Sequence, residues 1–152
     1  MAKCGEPRFG IPRHRSVFRP CLGNKLTAWF VVGDLAGANR VAAVESPIDA
    51  LSYYSLFGCR GGSFAVVSCA GANVPRELML RALDRGQAFV VALDRDPAGQ
   101  RNVQKTRAET ADWAGFQLSS DCPKLKDWND DLVAVAERLG APMFKEAASL
   151  RQ

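Results

Sequence analysis

The stretch A-F-V-V-A-L-D-R-D-P-A-G, residues 88–99, decides the fold of this chain. A short apolar run ends in two carboxylates, and a proline then opens a helical pattern. Residues 41–51, V-A-A-V-E-S-P-I-D-A-L, repeat this order with a glutamate after the apolar run. Apolar runs of this length, bounded by proline or glycine, are typical of buried parallel strands. Ligands of open parallel sheets bind beyond the carboxyl ends of the strands, so both segments predict carboxylates at that edge.

The same order of strand, turn and helix continues along the 152 residues, the length of one domain. Such alternation predicts an α/β fold: a Rossmann-like parallel sheet of about four strands, with right-handed crossovers and helices on both faces. The predicted strands are residues 26–32, 41–44, 63–69, 88–93 and a short one near 116–118. The predicted helices are residues 47–57, 75–84, 97–112 and about 130–139.

We divide the chain into a basic, irregular arm of residues 1–25, a domain of residues 26–140 and a C-terminal tail of residues 141–152. The arm has a net charge of +5, because its six lysines and arginines are offset only by Glu6, whereas the remainder has 14 basic and 15 acidic residues. A basic arm suits nucleic-acid phosphates. A solvated tail, or the remnant of a larger domain, is the alternative of equal weight.

Composition excludes several classes of protein. No run approaches the roughly 18 apolar residues of a membrane span, and the amino terminus lacks the apolar block of a secretory signal. The five cysteines form no C-x-x-C pair, so we expect neither a disulfide framework nor a zinc knuckle. The single histidine, His14, lies in the arm, which excludes histidine-based triads from the domain. We therefore expect a cytoplasmic protein without a membrane partner.

A divalent metal is the predicted cofactor. Asp94 and Asp96 are separated by one residue, so at a strand end both side chains point to the same face. Neighbouring carboxylates repel each other unless a cation or a proton lies between them. Mg²⁺ prefers oxygen ligands and often uses one or two carboxylates plus substrate phosphates. Glu45, from a neighbouring strand end, is placed to complete the cluster or to act as general acid or base. We predict Mg²⁺, or Mn²⁺ in its place.

Both segments also carry helix-capping signals. Ser46, Pro47 and Asp49 form the pattern of a capping box, and we favour that role for Asp49. Asp96 has the same alternative at the next helix start, but we favour metal binding there because Asp94 stands two residues away. A D-x-D pair also occurs in haloacid-dehalogenase phosphatases, where it follows the first core strand, whereas here it follows the third.

V-E-S-x-x-D-A-L around Glu45, followed by A-L-D-x-D-x-A-G around Asp94 and Asp96, resembles the Toprim domain of bacterial primases, type IA and type II topoisomerases and several nucleases. The resemblance extends over about residues 27–135. The segment around Glu45 is most similar to Toprim modules of primase-like proteins of plasmids and integrated mobile elements. The resemblance implies Mg²⁺-dependent phosphoryl transfer on DNA or RNA, in the context of DNA replication.

The resemblance also implies roles for individual residues. Glu45 becomes the catalytic general acid or base, and Asp94 and Asp96 become metal ligands. Residues 126–131, K-D-W-N-D-D, are similar to the K-D-x-[ND]-[DE] stretch of primase Toprim modules, which implies that Asp127 reaches the metal. The structural alternative is a cluster of charges that favours the start of the last helix.

One glycine and three basic residues are the predicted contacts to phosphate or nucleic acid. Gly71 matches a glycine turn of the family that lets the backbone approach the site, and a simple tight turn is its structural alternative. Arg95, Lys124 and Lys126 lie close in sequence to the carboxylates and are candidates to neutralise a phosphate there. An exposed surface charge is the commoner role of such residues.

Three functions remain open. The first is a primase-like enzyme of a mobile genetic element that works with a primase, helicase or template-binding partner chain. The second is a small single-domain Toprim nuclease. The third is a non-catalytic, metal-stabilised nucleic-acid-binding module that needs a partner chain. A topoisomerase needs a tyrosine nucleophile. The only tyrosines, Tyr53 and Tyr54, lie in a predicted helix where aromatic residues typically pack, so a topoisomerase fits less well.

Overall fold

The computed structural model describes residues 29–58 and 63–140, so the predicted arm and tail lie outside the described residues. Strands and helices alternate within it as predicted. The strands are β1 (Phe30–Val32), β2 (Arg40–Val44), β3 (Phe64–Ser68), β4 (Ala88–Val91) and β5 (Leu118–Ser120). The helices are α1 (Pro47–Phe57), α2 (Arg76–Asp84), α3 (Pro97–Thr110) and α4 (Trp128–Arg138). None of these four helices is long and apolar enough to cross a lipid bilayer.

The strands form one sheet in the order β1-β3-β2-β4-β5. β2, β3, β4 and β5 are parallel, and β1 pairs antiparallel with β3 at one edge. The predicted α/β fold with about four parallel strands is therefore confirmed, with β1 as an antiparallel addition. This order places β2 in the centre of the sheet, so the residue that follows β2 has the ends of two neighbouring strands beside it.

Side chains of the central strands alternate between two hydrophobic layers. Val41 packs in the layer that holds Leu78 of α2. Its neighbour Ala42 packs in the opposite layer, which holds Tyr53 of α1 and Trp128 of α4. Helices therefore cover both faces, as predicted. Strands buried on both sides need continuous apolar runs, and this is the pattern from which the sheet is predicted.

Helix α1 has the predicted bounds, and the other elements differ from prediction by a few residues at their ends. β4 ends at Val91, two residues before the predicted end, although Ala92 and Leu93 are buried. β5 begins at Leu118, two residues after the predicted start. Helix α4 begins at Trp128, two residues early, because the preceding aspartate caps it.

Three helices begin at capped residues beside the carboxyl edge of the sheet. Ser46, Asp96 and Asp127 are the N-caps of α1, α3 and α4, and each accepts a hydrogen bond from the backbone amide three residues later. Each cap satisfies an amide that would otherwise lack a partner at the helix start. The caps fix the positions of the loops that lead into α1, α3 and α4. These polar loops lie at the carboxyl edge of the sheet.

Candidate active site

An open cleft of about 550 Å³ lies at the carboxyl edge of the sheet. Such an edge is where ligands bind in open parallel sheets. The loops after β2, β3 and β4 and the starts of α1 and α4 line the cleft. Its polar and turn-forming lining residues are Glu45, Ser46, Asp49, Ala70, Gly71, Asp94, Asp127 and Asn129. The structure thus brings Glu45, Gly71, Asp94 and Asp127 together among the predicted site residues.

A side chain continues the hydrogen bonding between β2 and β4 at this edge. The amide of Ala92 donates to the carbonyl of Ala43 at 2.9 Å. Two residues further on, the amide of Asp94 donates to Oε1 of Glu45 at 3.1 Å. The backbone carbonyl of Glu45 instead accepts from the amide of Gly71 at 2.9 Å. These bonds fix the Glu45 carboxylate beside Asp94.

Asp94 carries the most perturbed carboxyl group of the cleft. Its Oδ1 atom is buried and has no hydrogen-bond partner among the described residues. Burial, first of all, raises the pKa of Asp94 to about 7, and like charges add to the rise. In decreasing order, these charges belong to Asp49, Glu45, Asp127 and Asp96. An ionised carboxylate in this position is unfavourable unless a proton or a cation compensates it.

Glu45 is half-buried and its pKa is also raised. Burial is the main cause, the hydrogen bond from the Asp94 amide opposes it, and repulsion from Asp96 and Asp49 adds to it. A carboxyl group with a raised pKa holds and releases a proton closer to neutral pH than an ordinary glutamate does. The environment of Glu45 therefore suits a general acid or base.

Asp49 contributes more to the cleft than the sequence analysis assigned to it. Its amide donates to Ser46 Oγ at 3.1 Å, which confirms the favoured capping role. Its carboxylate also accepts from the Ser46 hydroxyl at 2.5 Å. The residue is 5% exposed and supplies the largest like-charge contribution to the raised pKa of Asp94. Its placement depends on how the first turn of α1 packs over the sheet edge, which spacing in the sequence does not reveal.

Asp96 caps α3 through Oδ1, which accepts from the Gly99 amide at 2.7 Å. This is the role that the sequence analysis placed second. β4 ends at Val91, so both aspartates lie beyond the strand itself. Asp96 is exposed and acts on both Asp94 and Glu45 through its charge.

Asp127 caps α4 through Oδ1, which accepts from the Asp130 amide at 2.9 Å. Its Oδ2 atom lies 4.0 Å from Lys126 Nζ, and the lysine side chain is 79% exposed. Within residues 29–58 and 63–140, this is the ion pair that reaches the acidic cleft. Exposed ion pairs of this length contribute little to stability. Lys126 therefore leaves most of the negative charge of the cleft uncompensated.

Arg95 and Lys124 lie in a structural contact between two loops. The Arg95 guanidinium donates to the Lys124 carbonyl at 2.5 Å, and the Arg95 amide donates to the Lys126 carbonyl at 2.9 Å. The carboxylate of Asp131 accepts from the Lys124 amide at 2.8 Å. The two bonds from Arg95 fasten the loop before α4 to the β4–α3 turn, and the bond to Asp131 fastens the same loop to α4. Lys124 lines a separate groove, so the structure does not bring its side chain into the cleft.

The turn after β3 has an unusual backbone. Ala70 has φ of +54° and Gly71 has φ of +139°. A Cβ atom at residue 71 would meet open space, so the backbone conformation, and not crowding, is what favours glycine there. The turn brings the Gly71 amide to the Glu45 carbonyl, and Gly71 lines the cleft. The predicted role of Gly71 in phosphate or nucleic-acid binding stays a prediction.

Gly99 is a site-supporting residue that the sequence analysis missed. It is buried in the first turn of α3, and a Cβ atom there would overlap the carbonyl oxygen of Asp94. Glycine is thus required for α3 to start directly against the backbone of Asp94. Its position three residues after the D-x-D pair, inside a helix start, is the signal that marks it.

Within residues 29–58 and 63–140, no group of three histidine, cysteine, aspartate or glutamate side chains is arranged to hold a metal ion. The buried, unpartnered Oδ1 of Asp94, with Glu45 beside it, nevertheless fits a cation held by one or two carboxylates. Mg²⁺ binds in this way and completes its coordination with water and phosphate oxygens. An all-oxygen donor set also suits Mn²⁺.

A family model described as Toprim-like matches residues 42–132. The primase fragment of the bacteriophage T7 primase-helicase protein is similar, with 19% identity and a TM-score of 0.48, over 65% of this chain and 41% of that one. A chain in a second solved structure is also similar, with 16% identity and a TM-score of 0.46, over 65% of this chain and 50% of that one. That structure contains the bacteriophage T7 lagging-strand DNA polymerase interacting with primase domains of two gp4 subunits bound to an RNA/DNA hybrid and dTTP. This chain therefore spans half or less of the length of those chains. No curated protein matches it significantly.

Proposed function

The chain belongs to the Toprim-like family, and from this premise we propose that it catalyses phosphoryl transfer on DNA or RNA with a divalent metal ion, Mg²⁺ or Mn²⁺. The observation that carries the proposal is the buried Oδ1 of Asp94, which has no partner among the described residues. The resemblance in sequence extends the proposal to a primase-like enzyme of a mobile genetic element.

Asp94 would hold the ion, with Asp96 and Asp127 as further ligands. Each of these two has one oxygen in a helix cap, which leaves the other available to the ion or to its water. A bound ion would stabilise the negative charge that develops on the reacting phosphate. Compensation of the cleft's repelling carboxylates is the physical reason why a cation would bind there.

Glu45 would hold or move the proton. Its Oε1 atom is fixed by the Asp94 amide, so the carboxyl group keeps one orientation relative to the proposed metal ligand. Its raised pKa brings proton exchange closer to neutral pH. Asp49, buried in the same cleft, favours the protonated form of Glu45 through its own charge.

Substrate binding would need positive charge beyond the cleft itself. Lys126, exposed beside Asp127, would be the basic side chain that contacts a phosphate. Arg95 and Lys124 would contact phosphate only farther along a bound strand, because Arg95 binds the Lys124 carbonyl and Lys124 lines a separate groove. The basic arm, with its net charge of +5, would track the phosphate backbone. A primase, helicase or template-binding partner chain would supply the remaining contacts.

The test is a gel assay on end-labelled single-stranded and double-stranded DNA and RNA. The purified chain is incubated with Mg²⁺, Mn²⁺ or EDTA, with and without nucleoside triphosphates. Glu45→Gln and Asp94→Asn are the test variants. Asp112→Asn, exposed in the turn after α3, is the control that removes one charge far from the cleft lining.

Metal-dependent products that vanish in both test variants and persist in the control would support the proposal. Nucleotide-dependent extension would identify a primase-like polymerase, and shortened products would identify a nuclease. Products that persist in Asp94→Asn would contradict the assigned site. Nucleic-acid binding without any turnover, unchanged in Asp94→Asn, would replace the proposal with a non-catalytic binding module.

A further inference from the structure

A second pocket, of about 440 Å³, lies on the sheet face that α1 and α4 cover. The residues that give it chemical character are Asn39, Arg40, Phe57, Phe64, Ser119 and Asp121. None of them lines the acidic cleft, which opens at the carboxyl edge. Its volume is within the range of small-molecule sites, and no role proposed above uses it.

The pocket exists because helices cover this face unevenly. Val90 of β4 is buried, whereas its register partner Ser119 of β5 is exposed. Tyr53 and Phe57 of α1 form one side of the pocket, and the edge of β5, which none of the helices α1 to α4 covers on this face, forms the other. The result is a concavity with an aromatic wall and a polar opposite rim.

Arg40 is the charged group of the pocket. Its guanidinium lies over the ring of Phe64, its partner in the β2–β3 register, at 4.9 Å from the ring centroid. Within the described parts of the chain, Arg40 forms no ion pair with a carboxylate. A guanidinium placed over an aromatic ring is pre-organised, and its planar donors match phosphate oxygens.

The acidic residue of the pocket is engaged by other donors. The Tyr53 hydroxyl donates to Asp121 Oδ2 at 3.1 Å, and the Cys122 amide donates to Oδ1 at 2.9 Å. Burial is the main reason why the pKa of Tyr53 is strongly raised, so its hydroxyl stays a neutral donor. Asp121 therefore fastens β5 to α1, and Arg40 remains available to an anion.

We propose that this pocket binds a nucleotide unit, with its phosphate on Arg40 and Asn39 and its ring against the wall formed by Phe57 and Val90. Stacking and apolar contact accept any base. The guanidinium makes binding depend on a phosphate group. The unit is either a free mononucleotide or the phosphorylated end of a strand. The site would thus hold a nucleotide away from the proposed chemistry.

The experiment measures binding of AMP to the full chain by calorimetry in EDTA, which removes metal-dependent binding at the cleft. Parallel titrations use adenosine, inorganic phosphate, and an oligonucleotide with and without a 5′-phosphate. The variants are Arg40→Ala, Arg40→Lys and Ser119→Phe, which fills the pocket from its exposed rim. Arg85→Ala, exposed at the end of α2, is the charge-matched control.

We expect saturable binding of AMP that weakens about tenfold or more in Arg40→Ala, which loses one charge-assisted contact. Binding should weaken to a similar extent in Ser119→Phe, whose ring occupies the pocket. Arg40→Lys should bind with intermediate affinity, and Arg85→Ala and Asp94→Asn should bind as the wild type does. Dependence on Arg40 that is seen only with the 5′-phosphorylated oligonucleotide would assign the site to a strand end. Dependence that is seen with AMP would assign it to a free nucleotide.

No saturable binding of either phosphorylated probe would overturn the proposal, as would equal affinity for adenosine and AMP. Equal affinity in the wild type and Ser119→Phe would also overturn it, and this variant decides the matter if Arg40→Ala does not fold. Loss of binding in Asp94→Asn would move the ligand to the cleft and refute a second site. The proposed activity at the cleft is measured separately, so either proposal can fail alone.

Discussion

The backbone amide of Asp94 donates to the side chain of Glu45 at 3.1 Å, at the step of the β2–β4 hydrogen bonding that would otherwise use the Glu45 carbonyl. That carbonyl is taken by Gly71 from the β3 side. Three strand ends are therefore joined through one glutamate. The residue proposed to handle the proton also holds the proposed metal ligand in place.

Glu45→Gln and Glu45→Ala should separate these two roles. Glutamine keeps an acceptor for the Asp94 amide, so its free energy of unfolding should stay within about 0.5 kcal/mol of the wild type. Alanine leaves that amide without its acceptor and should cost about 1–2 kcal/mol. Urea unfolding measures both, and equal loss in the two variants would show that the hydrogen bond contributes nothing. Both variants should lose activity.

Asp94 should make stability depend on pH in the absence of metal. Its pKa is raised from 3.8 to about 7, so the folded state binds this proton more tightly than the unfolded state does. The stabilisation is then fully present below about pH 4 and is lost as pH rises through about 7. Asp94→Asn lacks this titration and should melt above the wild type at pH 8 in EDTA.

Melting temperatures between pH 4 and pH 8 test this prediction. Groups far from the cleft titrate equally in both proteins, so the difference between wild type and Asp94→Asn reports Asp94 together with the carboxylates that it repels. Added Mg²⁺ should raise the melting temperature of the wild type at pH 8 and leave that of the variant unchanged. Parallel pH curves for the two proteins would contradict the raised pKa.

Gly99→Ala should destabilise the domain although alanine favours helices. Helix propensity alone predicts a gain of about 1 kcal/mol. The added Cβ overlaps the Asp94 carbonyl, and the resulting backbone shift should cost about 1–3 kcal/mol and misplace the Asp94 side chain. Chemical denaturation gives the sign directly. Gln104→Ala, exposed on the same helix, should be nearly neutral, and a stabilised Gly99→Ala would refute the close contact.

Asp127→Asn and Asp127→Ala should distinguish the helix cap from metal binding. Asparagine caps as well as aspartate does, so its stability should be close to that of the wild type, whereas alanine should cost about 0.5–2 kcal/mol. If Asp127 reaches the metal, both variants should bind Mg²⁺ more weakly. Calorimetric titration with Mg²⁺ provides that readout, and wild-type affinity in Asp127→Asn would leave the residue as a cap alone.

Deletion of residues 1–25 should lower the salt dependence of nucleic-acid binding. The arm has a net charge of +5, and each phosphate it neutralises adds about 0.9 to the slope of log K against log salt for double-stranded DNA. Binding measured between 50 and 300 mM salt should therefore show a shallower slope for the shortened chain. An unchanged slope would make the arm a solvated tail.

Local signals explain how much of this fold the sequence predicts. Ser46 and Pro47 mark the start of α1, and Gly58 follows its last residue, so both bounds of α1 agree with the structure. β4 was predicted two residues too long because Ala92 and Leu93 are apolar and buried. Hydrophobicity reports burial, and it does not report which backbone groups pair with a neighbouring strand.

The residues of the candidate site likewise fall into those that the sequence predicts and those that it does not. Glu45 and Asp94 follow from their positions at strand ends, because parallel strands bring those ends to one edge. Asp127 is predicted only from the resemblance of residues 126–131 to a family stretch. Arg95 does not follow, because the direction of a long side chain depends on the loop that packs beside it. The guanidinium of Arg95 lies against the Lys124 carbonyl, a contact between segments 29 residues apart.

The helix caps at the cleft have a consequence for how this domain can change during evolution. At positions 96 and 127 one side chain begins a helix and places negative charge at the cleft. Asparagine or serine begins the helix equally well without the charge. Aspartate is the residue type that meets both demands. A single replacement by asparagine would therefore leave a folded domain with a less acidic cleft.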